Sequence, residues 1–425
     1  MKKTFKSIAL TVASCASLFL LGACGNDSAE KDDKITTKIE EETEITFWHA
    51  MQGPQEKALQ KLTKDFEKKN PKIKVKLQNQ GQYKDLQSKI NSTLQSPKDL
   101  PTMTQAYPTW LYQVAQDDML VDLTKYIDNE EIGWGKQEKI NADFLKGAQI
   151  DDKQYGIPFS KSEEVMYYNE DLLKKYGVKV PTTMKELKEA SETIYKKSKG
   201  KVVGAGFDSL SNYYVTGLEN EGVTFTKDVK LDSKDSKKVI SYLADGIKAG
   251  YFRTAGADQY LSAPFANEKV AIYVGSSAGE GFVKQGAQGK FAYGVAQYPA
   301  KKVIQQGADL FMFQSAESAQ RTAAFEYMKF LASPESQKYW SQQTGYIPVD
   351  DSVRKSDAYK KTSKVAEAIS KSTNTVFTVP VAENSNVAFN ETATIMEKIL
   401  ANIKEKKLDS LIKESTPELE DSWNQ

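Results

Sequence analysis

Residues 44–80, EITFWHAMQGPQEKALQKLTKDFEKKNPKIKVKLQNQ, decide the fold class of this chain. The run EITFWHA alternates in the way that is typical of a β-strand. Leu59, Leu62 and Phe66 then recur at helical spacing, and an Asn-Pro pair ends the helix. The run KIKVKLQNQ places apolar side chains on one face and lysines on the other, which predicts a second strand. Strand, helix and strand in this order indicate an α/β unit on a largely parallel sheet.

The same alternation continues along the rest of the chain. Residues 83–96 predict a second helix, and residues 100–108 predict a short third strand. Strands and helices alternate again between residues 156 and 299, and the chain is mostly helical from Ala316 onward. The sequence therefore predicts an α/β protein with C-terminal helices.

The charge balance limits the partners of the chain. Its 425 residues are enough for two or three domains, and its 58 basic and 57 acidic side chains nearly cancel. Nothing in that balance favours nucleic acid as a partner. Only Arg253, Arg321 and Arg354 are arginines. Because arginine is the preferred bidentate clamp for carboxylate and phosphate groups, its scarcity weakly disfavours a strongly anionic ligand.

The residue types that many enzymes use for chemistry are scarce. The two cysteines, Cys15 and Cys24, lie near the N-terminus, so the rest of the chain has no disulfide, thiol nucleophile or cysteine metal site. His49 is the only histidine, which leaves little for a histidine zinc site or a Ser-His-Asp triad. We therefore expect a protein that is not an enzyme, with no catalytic residues, no metal and no cofactor.

The first residues have the pattern of an export signal. Residues 1–23 combine three early lysines with an apolar stretch from Ile8 to Leu21, which is shorter than the roughly 20 residues that a membrane span needs. This pattern predicts a secretory signal peptide, and a buried helix is the alternative interpretation.

Cys24 ends the stretch LLGAC, which resembles a bacterial lipobox. The resemblance implies cleavage before Cys24 and attachment of a diacylglycerol to its sulfur. Residues 24–43 are polar and poor in aromatic side chains, so we expect a lipidated flexible tether. These features predict a protein anchored by lipid on the extracellular face of the cell membrane of a Gram-positive bacterium.

Four longer stretches carry a family resemblance. They are ITFWHAMQG at 45–53, GIPFSKSEEVMYYNEDLLKKYGV at 156–178, FANEKVAIYVGSSAG at 265–279 and FEYMKFLASPESQKYWSQQTGYIPV at 325–349. Through them the chain, from Ile45 to its C-terminus, resembles the bacterial extracellular solute-binding proteins of ABC importers, of the carbohydrate type.

The resemblance implies a two-lobed, periplasmic-binding-protein-like fold of type II. Hinge strands would join the lobes, and a hinge motion would close the cleft around the ligand. We expect lobe 1 to comprise residues 44–152 and 300–348, and lobe 2 to comprise residues 153–299 and 349–425. The implied partners are a small-molecule carbohydrate and the transmembrane subunits of an ABC permease, and we expect a monomer.

A sugar offers apolar ring faces and a rim of hydroxyls, so its site needs aromatic platforms and short polar groups. The resemblance places eight residues at the ligand: Tyr83, Tyr107, Trp110, Ser162, Ser276, Ser277, Gly307 and Tyr346. Trp48 and His49 are further candidates because they follow the first strand, where ligand loops gather. Glu163, as an acceptor for hydroxyls, and Tyr213, as a stacking residue, complete the predicted site. Each also has a structural interpretation, as a core aromatic, a helix cap or a partner of a helix dipole.

The same residues also resemble the branch of the family that binds glycerol-3-phosphate and glycerophosphodiesters. The chain departs from that branch at two places: Pro108 stands where a carboxylate is expected, and no arginine occurs around Asn386–Asn390. We therefore predict a neutral oligosaccharide as the ligand, with a glycerophosphate compound as the alternative. A secreted glycan hydrolase, which needs two carboxylates about 5–10 Å apart, is a remote alternative. A surface adhesin that holds host glycan is a third interpretation, which the sequence leaves open.

Overall fold

The computed structural model describes residues 35–134 and 140–425. The predicted signal peptide, Cys24 and the first part of the predicted tether lie outside the described residues. Within the described ranges, no helix combines the length and the apolar character of a membrane span.

The described ranges form alternating strands and helices. The strands are β1 Thr43–His49, β2 Ile73–Asn79, β3 Met103–Ala106, β4 Gln149–Ile150, β5 Lys153–Gln154, β6 Gly156–Pro158, β7 Ser162–Asn169, β8 Val203–Phe207, β9 Phe252–Thr254, β10 Val270–Ser276, β11 Tyr293–Gln297, β12 Lys302–Gln306, β13 Asp309–Met312 and β14 Thr375–Phe377. The α-helices are α1 Pro54–Lys69, α2 Tyr83–Thr93, α3 Tyr112–Gln116, α4 Thr124–Ile127, α5 Ala142–Gly147, α6 Glu170–Tyr176, α7 Met184–Lys197, α8 Leu210–Asn220, α9 Lys234–Ala249, α10 Ser262–Ala266, α11 Glu280–Ala287, α12 Ser318–Ala332, α13 Pro334–Thr344, α14 Asp351–Arg354, α15 Asp357–Lys360, α16 Lys364–Lys371, α17 Ser385–Asn402 and α18 Leu408–Ser422.

The first sheet has the strand order β2-β1-β3-β13-β6. Strands β2, β1 and β3 are parallel, and β13 runs antiparallel to β3 and β6. Helix α1 joins β1 to β2 and buries Leu59, Leu62 and Phe66, which confirms the strand–helix–strand unit predicted from residues 44–80. Because the three parallel strands end at one edge of the sheet, the residues that follow β2 and β3 lie close together.

The second sheet has the strand order β14-β12-β7-β10-β8-β9, and β11 pairs with the C-terminal part of β7. Strand β8 is parallel to β9 and β10, whereas β7 is antiparallel to β10 and β12. Helices α7, α8, α9 and α17 contribute apolar residues to one core with this sheet, including Leu187, Tyr214, Ile240 and Ile395. We call the elements around the first and second sheets the first and second lobes.

The chain crosses between the two sheets near Ser160 and near Gly307. At Gly307 φ is +100°, and a Cβ atom there would lie 1.7 Å from the carbonyl oxygen of Ser160, so only glycine fits. A third chain segment joins the crossing, since the Ile347 N–H donates to the Lys161 carbonyl oxygen at 2.7 Å. Three segments therefore meet where the lobes are joined.

The strand pairings differ from the expected lobe boundaries in detail. Strand β6 belongs to the first sheet and β12 to the second, whereas boundaries at 152/153 and 299/300 would exchange them. The reason is that β6 pairs within the first sheet before the chain crosses near Ser160. Likewise, β12 pairs within the second sheet before the chain crosses back near Gly307. We propose that these two boundaries lie at the crossings, and the third, at 348/349, stays a prediction.

The described end of the predicted tether lies against the first lobe. Ile35 and Ile39 pack on its core, and the Thr36 N–H donates to the Ser318 hydroxyl at 3.0 Å. The Lys72 ammonium donates to the Glu40 carbonyl oxygen at 2.6 Å. Residues 35–42 therefore follow the surface of the first lobe instead of forming a free linker.

Candidate functional site

A cavity of about 830 Å³ lies between the two lobes. Its first-lobe wall comes from the start of α2, the turn after β3, Gly147 and Lys161. Its second-lobe wall comes from the start of α8, Tyr260, the end of β12, residues 378–381 and α17. The volume lies within the roughly 300–1,000 Å³ range of small-molecule sites.

Three aromatic rings form a cluster on the first-lobe wall. Tyr83 begins α2, Tyr107 follows β3, and Trp110 ends the 3-10 turn Pro108–Trp110. The ring centroids are 5.6 Å apart for Tyr83 and Tyr107, 6.0 Å for Tyr83 and Trp110, and 5.2 Å for Tyr107 and Trp110. All three side chains are half-buried, so the cluster offers a fixed apolar surface to the cavity.

Tyr346 supports this cluster from behind. Its hydroxyl lies 3.4 Å from that of Tyr83, and its ring is nearly parallel to that of Trp340, with the centroids 5.6 Å apart. Trp340 stacks in turn on Phe159 at 4.7 Å. Tyr346 is buried and lies outside the cavity lining. It therefore positions Tyr83, and its own contact with a ligand stays a prediction.

Gly307 connects the crossing to the aromatic cluster. Its N–H donates to the Tyr107 hydroxyl at 3.2 Å, and it lines the cavity. Burial raises the pKa of Tyr107 to about 12, so the phenol stays neutral at physiological pH. The neutral hydroxyl accepts one hydrogen bond from Gly307 and keeps its own proton for donation.

Lys161, also in the lining, forms a buried ion pair. Its ammonium nitrogen lies 2.5 Å from a carboxylate oxygen of Asp309, and the two side chains are 5% and 0% exposed. Burial raises the pKa of Asp309 to about 6, although the charge of Lys161 acts in the opposite direction. The partner carboxylate balances the positive charge of Lys161, which makes Lys161 a poor receptor for an anionic ligand.

The second-lobe wall offers amide and hydroxyl groups. Ser209, Asn212, Asn386 and Asn390 line it, together with the two glutamines that end β12. The Gln305 Nε2 and Gln306 Oε1 atoms are buried and have no hydrogen-bond partner among the described residues. Buried polar atoms are usually paired, so these two amides retain capacity for a ligand hydroxyl.

The adjacent acids Glu163 and Glu164 both lie outside the cavity lining. They have different neighbours, because successive strand residues point to opposite faces. Asn212 links Glu164 to the lining, since its amide donates to Glu164 at 3.1 Å. Burial raises the pKa of Glu164 to about 8 and that of Glu163 to about 7. Glu163 lies outside the lining, near Arg354, which slightly opposes its shift.

Trp48 and His49 also lie outside the cavity lining. The Trp48 indole N–H donates to the Gln78 side chain at 2.6 Å. His49 is 1% exposed, and its Nδ1 accepts the Met51 N–H at 3.3 Å. Burial lowers the pKa of His49 to about 4, so the ring is neutral. Both side chains therefore have structural contacts in the first lobe.

The remaining candidates have structural partners too. Tyr213 is buried in the second-lobe core, where its hydroxyl donates to the Val239 carbonyl oxygen at 2.8 Å. The Ser277 hydroxyl accepts the Glu163 N–H at 3.4 Å, and that of Ser276 accepts the Ala278 N–H at 3.2 Å. Neither these residues nor Ser162 line the cavity. Of the predicted residues, the cavity brings together Tyr83, Tyr107, Trp110 and Gly307.

Sequence reasoning missed most of the second-lobe wall. Asn386, Asn390, Ala393 and Glu397 of α17 line the cavity, and their spacing of three or four residues places them on one helix face. That periodicity was a usable signal. Tyr260 gave none, because it lies in an irregular loop between β9 and α10.

The cavity lining carries few charges. Besides the paired Lys161, it includes Lys84, Glu391 and Glu397, but none of the three arginines. Among the described residues, no cluster of His, Cys, Asp and Glu is arranged to hold a metal ion. The site therefore suits a neutral, hydroxyl-rich ligand with an apolar face.

Comparisons with known proteins relate this architecture to others. The sn-glycerol-3-phosphate-binding periplasmic protein UgpB of Brucella abortus is 24% identical over 351 residues, which cover 75% of this chain and 78% of that protein. The solved structure of the GacH receptor of Streptomyces glaucescens, reported unliganded and with acarbose, is 21% identical with a TM-score of 0.76 and covers 90% of this chain and 98% of GacH. UgpB of Mycobacterium tuberculosis, in complex with glycerophosphocholine, is 19% identical with a TM-score of 0.76 and covers 90% of this chain and 98% of that one.

These structural matches confirm the predicted α/β, two-lobed fold of the periplasmic binding proteins. The model of the bacterial extracellular solute-binding protein family matches residues 61–367, more than half of the chain. The chain therefore belongs to the bacterial extracellular solute-binding protein family.

Proposed function

We propose that this protein is the solute-binding component of an ABC importer. It captures a neutral oligosaccharide between its lobes and delivers it to the transmembrane subunits of the permease. The observation that carries the proposal is the cluster of Tyr83, Tyr107 and Trp110 on one wall of the cavity. Aromatic faces pack against the apolar face of a pyranose ring, and the amides across the cavity suit its hydroxyls.

A glycerophosphate ligand is the second candidate. Relatives such as UgpB of Brucella abortus are named for binding sn-glycerol-3-phosphate. A phosphate group is best held by arginine or by an unpaired cation. Here the buried cation Lys161 is paired with Asp309, no arginine lines the cavity, and the other lysine of the lining, Lys84, is solvent-exposed. The charge pattern therefore favours the neutral ligand.

The proposed function involves no bond breaking. The relatives named above are binding proteins, and the lobes are joined at crossings that permit a hinge motion. The remote hydrolase alternative predicts products from a bound oligosaccharide. Chromatography of a saccharide after incubation with the protein should show only the starting material, and shortened sugars would favour the hydrolase.

The proposed location is the extracellular face of the membrane, where a diacylglycerol on Cys24 anchors a monomer. Replacing Cys24 with Ala should move the protein from the membrane fraction to the medium, whereas replacing Cys15 with Ala should leave it in the membrane fraction. Equal membrane association of both variants would contradict the proposed lipid attachment at Cys24.

Titration calorimetry tests the ligand class. The purified protein is titrated with maltotriose, raffinose, lactose, sn-glycerol-3-phosphate and glycerophosphocholine. We expect reversible binding of at least one saccharide and weaker or no binding of the two phosphates. Binding of only the phosphates would reverse the choice between the candidates, and binding of none would contradict the proposed ligand class.

A further inference from the structure

Helix α1 carries four exposed lysines on its outer side. They follow one another at intervals of four, three and four residues, which places them along one side of the helix. They are Lys57, Lys61, Lys64 and Lys68, and we call them the lysine row. The buried residues of α1, such as Phe66, lie on the opposite side. The row therefore points away from the core of the first lobe.

The lysine row is left largely without acidic partners. Lys61 forms an ion pair with Asp65. Within the part of the chain that the structure describes, Lys57, Lys64 and Lys68 form no ion pair. Like charges three or four residues apart destabilise a helix. A local arrangement that costs stability without a compensating contact indicates a function of the surface.

The elements next to the row are basic as well. Residues 54–93, which comprise α1, β2 and α2, contain ten lysines and four acidic residues, a net charge of +6, whereas the whole chain has +1. Strand β2 is the edge strand of the first sheet and carries the exposed Lys76. A surface with such an excess of one charge attracts partners of the opposite charge.

The acidic residues of the first lobe that lie closest in sequence belong to a different surface. A groove beside the segment that follows the lobe surface is lined by residues 36–44, Glu131, Glu317 and residues 319–320. Four glutamates, at positions 40, 41, 42 and 44, are in this lining. No residue of α1, β2 or α2 contributes to it. The glutamates therefore leave the lysine row free to face an anionic partner.

The proposed anchor brings this partner within reach. Ile35 packs on the core of the first lobe, and Lys72, in the turn between α1 and β2, donates to the Glu40 carbonyl oxygen. The segment that leads to the anchor thus meets the basic surface at the end of α1. Ten residues separate Cys24 from Ile35, and a chain of that length spans at most about 35 Å. A lipid on Cys24 would therefore keep the lysine row close to the headgroups of the membrane.

We propose that the lysine row docks the first lobe on anionic phospholipid headgroups of the membrane that carries the anchor. The inference rests on the proposed location and adds an orientation to it. Each lysine near an anionic leaflet contributes about fivefold to binding, which is weak for a free protein. The anchor raises the effective concentration of the surface, so weak contacts suffice to orient the lobe. Docking holds the first lobe and leaves the second lobe free to move.

Vesicle sedimentation of the protein without its lipid tests the proposal. Residues 35–425 form one compact unit with its own cores, so we use the chain from Gly25 onward. It is mixed with vesicles of phosphatidylcholine alone, or of phosphatidylcholine and phosphatidylglycerol in equal parts, at low and at high salt. Soluble polyphosphate is titrated into the protein in a separate experiment.

Two triple variants separate the lysine row from net charge. The row variant combines Lys57→Gln, Lys64→Gln and Lys68→Gln. The control variant combines three substitutions of exposed lysines outside the first lobe, which lower the net charge by the same amount: Lys248→Gln, Lys404→Gln and Lys413→Gln. The melting temperature of each variant is recorded. We expect that of the row variant not to fall, because the substitutions remove repulsion between like charges.

We expect the wild type to sediment with the phosphatidylglycerol vesicles at low salt, to be released at high salt, and not to bind phosphatidylcholine alone. The row variant should lose about a hundredfold in its partition coefficient, whereas the control variant should stay within about threefold of the wild type. Should the row variant not fold, Lys64→Gln alone decides, with an expected loss of about fivefold.

Three results would overturn the inference. They are no binding of the wild type to anionic vesicles at low salt, an equal loss in the row and control variants, and binding of polyphosphate but not of vesicles, which would make a soluble polyanion the partner. The assay contains no saccharide and no lipid anchor. Its failure would therefore leave solute binding and the attachment at Cys24 standing, since calorimetry and membrane fractionation test those separately.

Discussion

Replacing Lys161 with Met would leave the Asp309 carboxylate buried without its partner. The two charges are 2.5 Å apart, and both side chains are almost fully excluded from solvent. Breaking a buried pair on one side costs about 3–5 kcal/mol of folding free energy. Because a whole domain is stable by only about 5–15 kcal/mol, the loss should be plain in a urea titration followed by tryptophan fluorescence at pH 8.

The double variant Lys161→Met, Asp309→Leu is the matched control. It removes both charges, so no unpaired carboxylate remains in the interior. Replacing a buried pair with apolar residues of similar size is often nearly neutral, and we expect the double variant to recover most of the loss, to within about 1.5 kcal/mol of the wild type. A double variant as unstable as the single one would refute the reasoning, as would a loss below about 1 kcal/mol for Lys161→Met.

The pH dependence gives a second check on the same pair. Burial raises the pKa of Asp309 to about 6, above the value of about 3.9 for an unfolded aspartate. The folded state therefore holds this proton more tightly, and its stability falls as pH rises from about 4 to about 6. In Lys161→Met the cation no longer lowers the pKa of Asp309. The pH range over which stability falls therefore extends above pH 6. The loss caused by Lys161→Met should thus be smaller at pH 5 than at pH 8.

Three further predictions follow from single residues. Gly307→Ala should destabilise the protein by at least about 2 kcal/mol in the same urea titration, because its Cβ would lie 1.7 Å from the Ser160 carbonyl oxygen; unchanged stability would contradict the described crossing. Burial lowers the pKa of His49 to about 4. Wild-type stability should therefore fall by roughly 3 kcal/mol through this group as pH falls from about 6.5 to about 4. His49→Gln should lack this pH dependence, and an identical pH profile for the two proteins would contradict the prediction. Trp110→Ala should weaken saccharide binding about tenfold in calorimetry while the melting temperature changes little; full affinity would exclude the cluster as the platform.

The sequence predicted the parts of the site that local patterns specify. The alternation of residues 44–80 predicts β1, α1 and β2, and parallel strands end at one sheet edge. Tyr83 and Tyr107 follow such strand ends, but it was the family resemblance that placed them, together with Trp110, at the ligand. Trp48 and His49 are the last two residues of β1 at the same edge, yet side-chain contacts that no local pattern shows bury both of them.

The second-lobe wall depends on long-range pairing. Gln305 and Gln306 reach the cavity because β12 pairs with β7 and β14, segments far apart in the chain. Tyr260 reaches it through an irregular loop held by Asp208 and Arg253. Periodicity within one segment does not specify such contacts, whereas the polar face of α17 could have been predicted from its own spacing.

The central claim is that a sugar ring lies against the aromatic cluster between the lobes. A crystal structure of the protein with a saccharide that binds in calorimetry tests it directly. The account predicts a pyranose ring within van der Waals contact of Trp110 or Tyr107, with its hydroxyls at the amides of Gln305 and Gln306. A ligand bound outside this cavity, or held in it by the Lys161 ammonium after release from Asp309, would contradict the account.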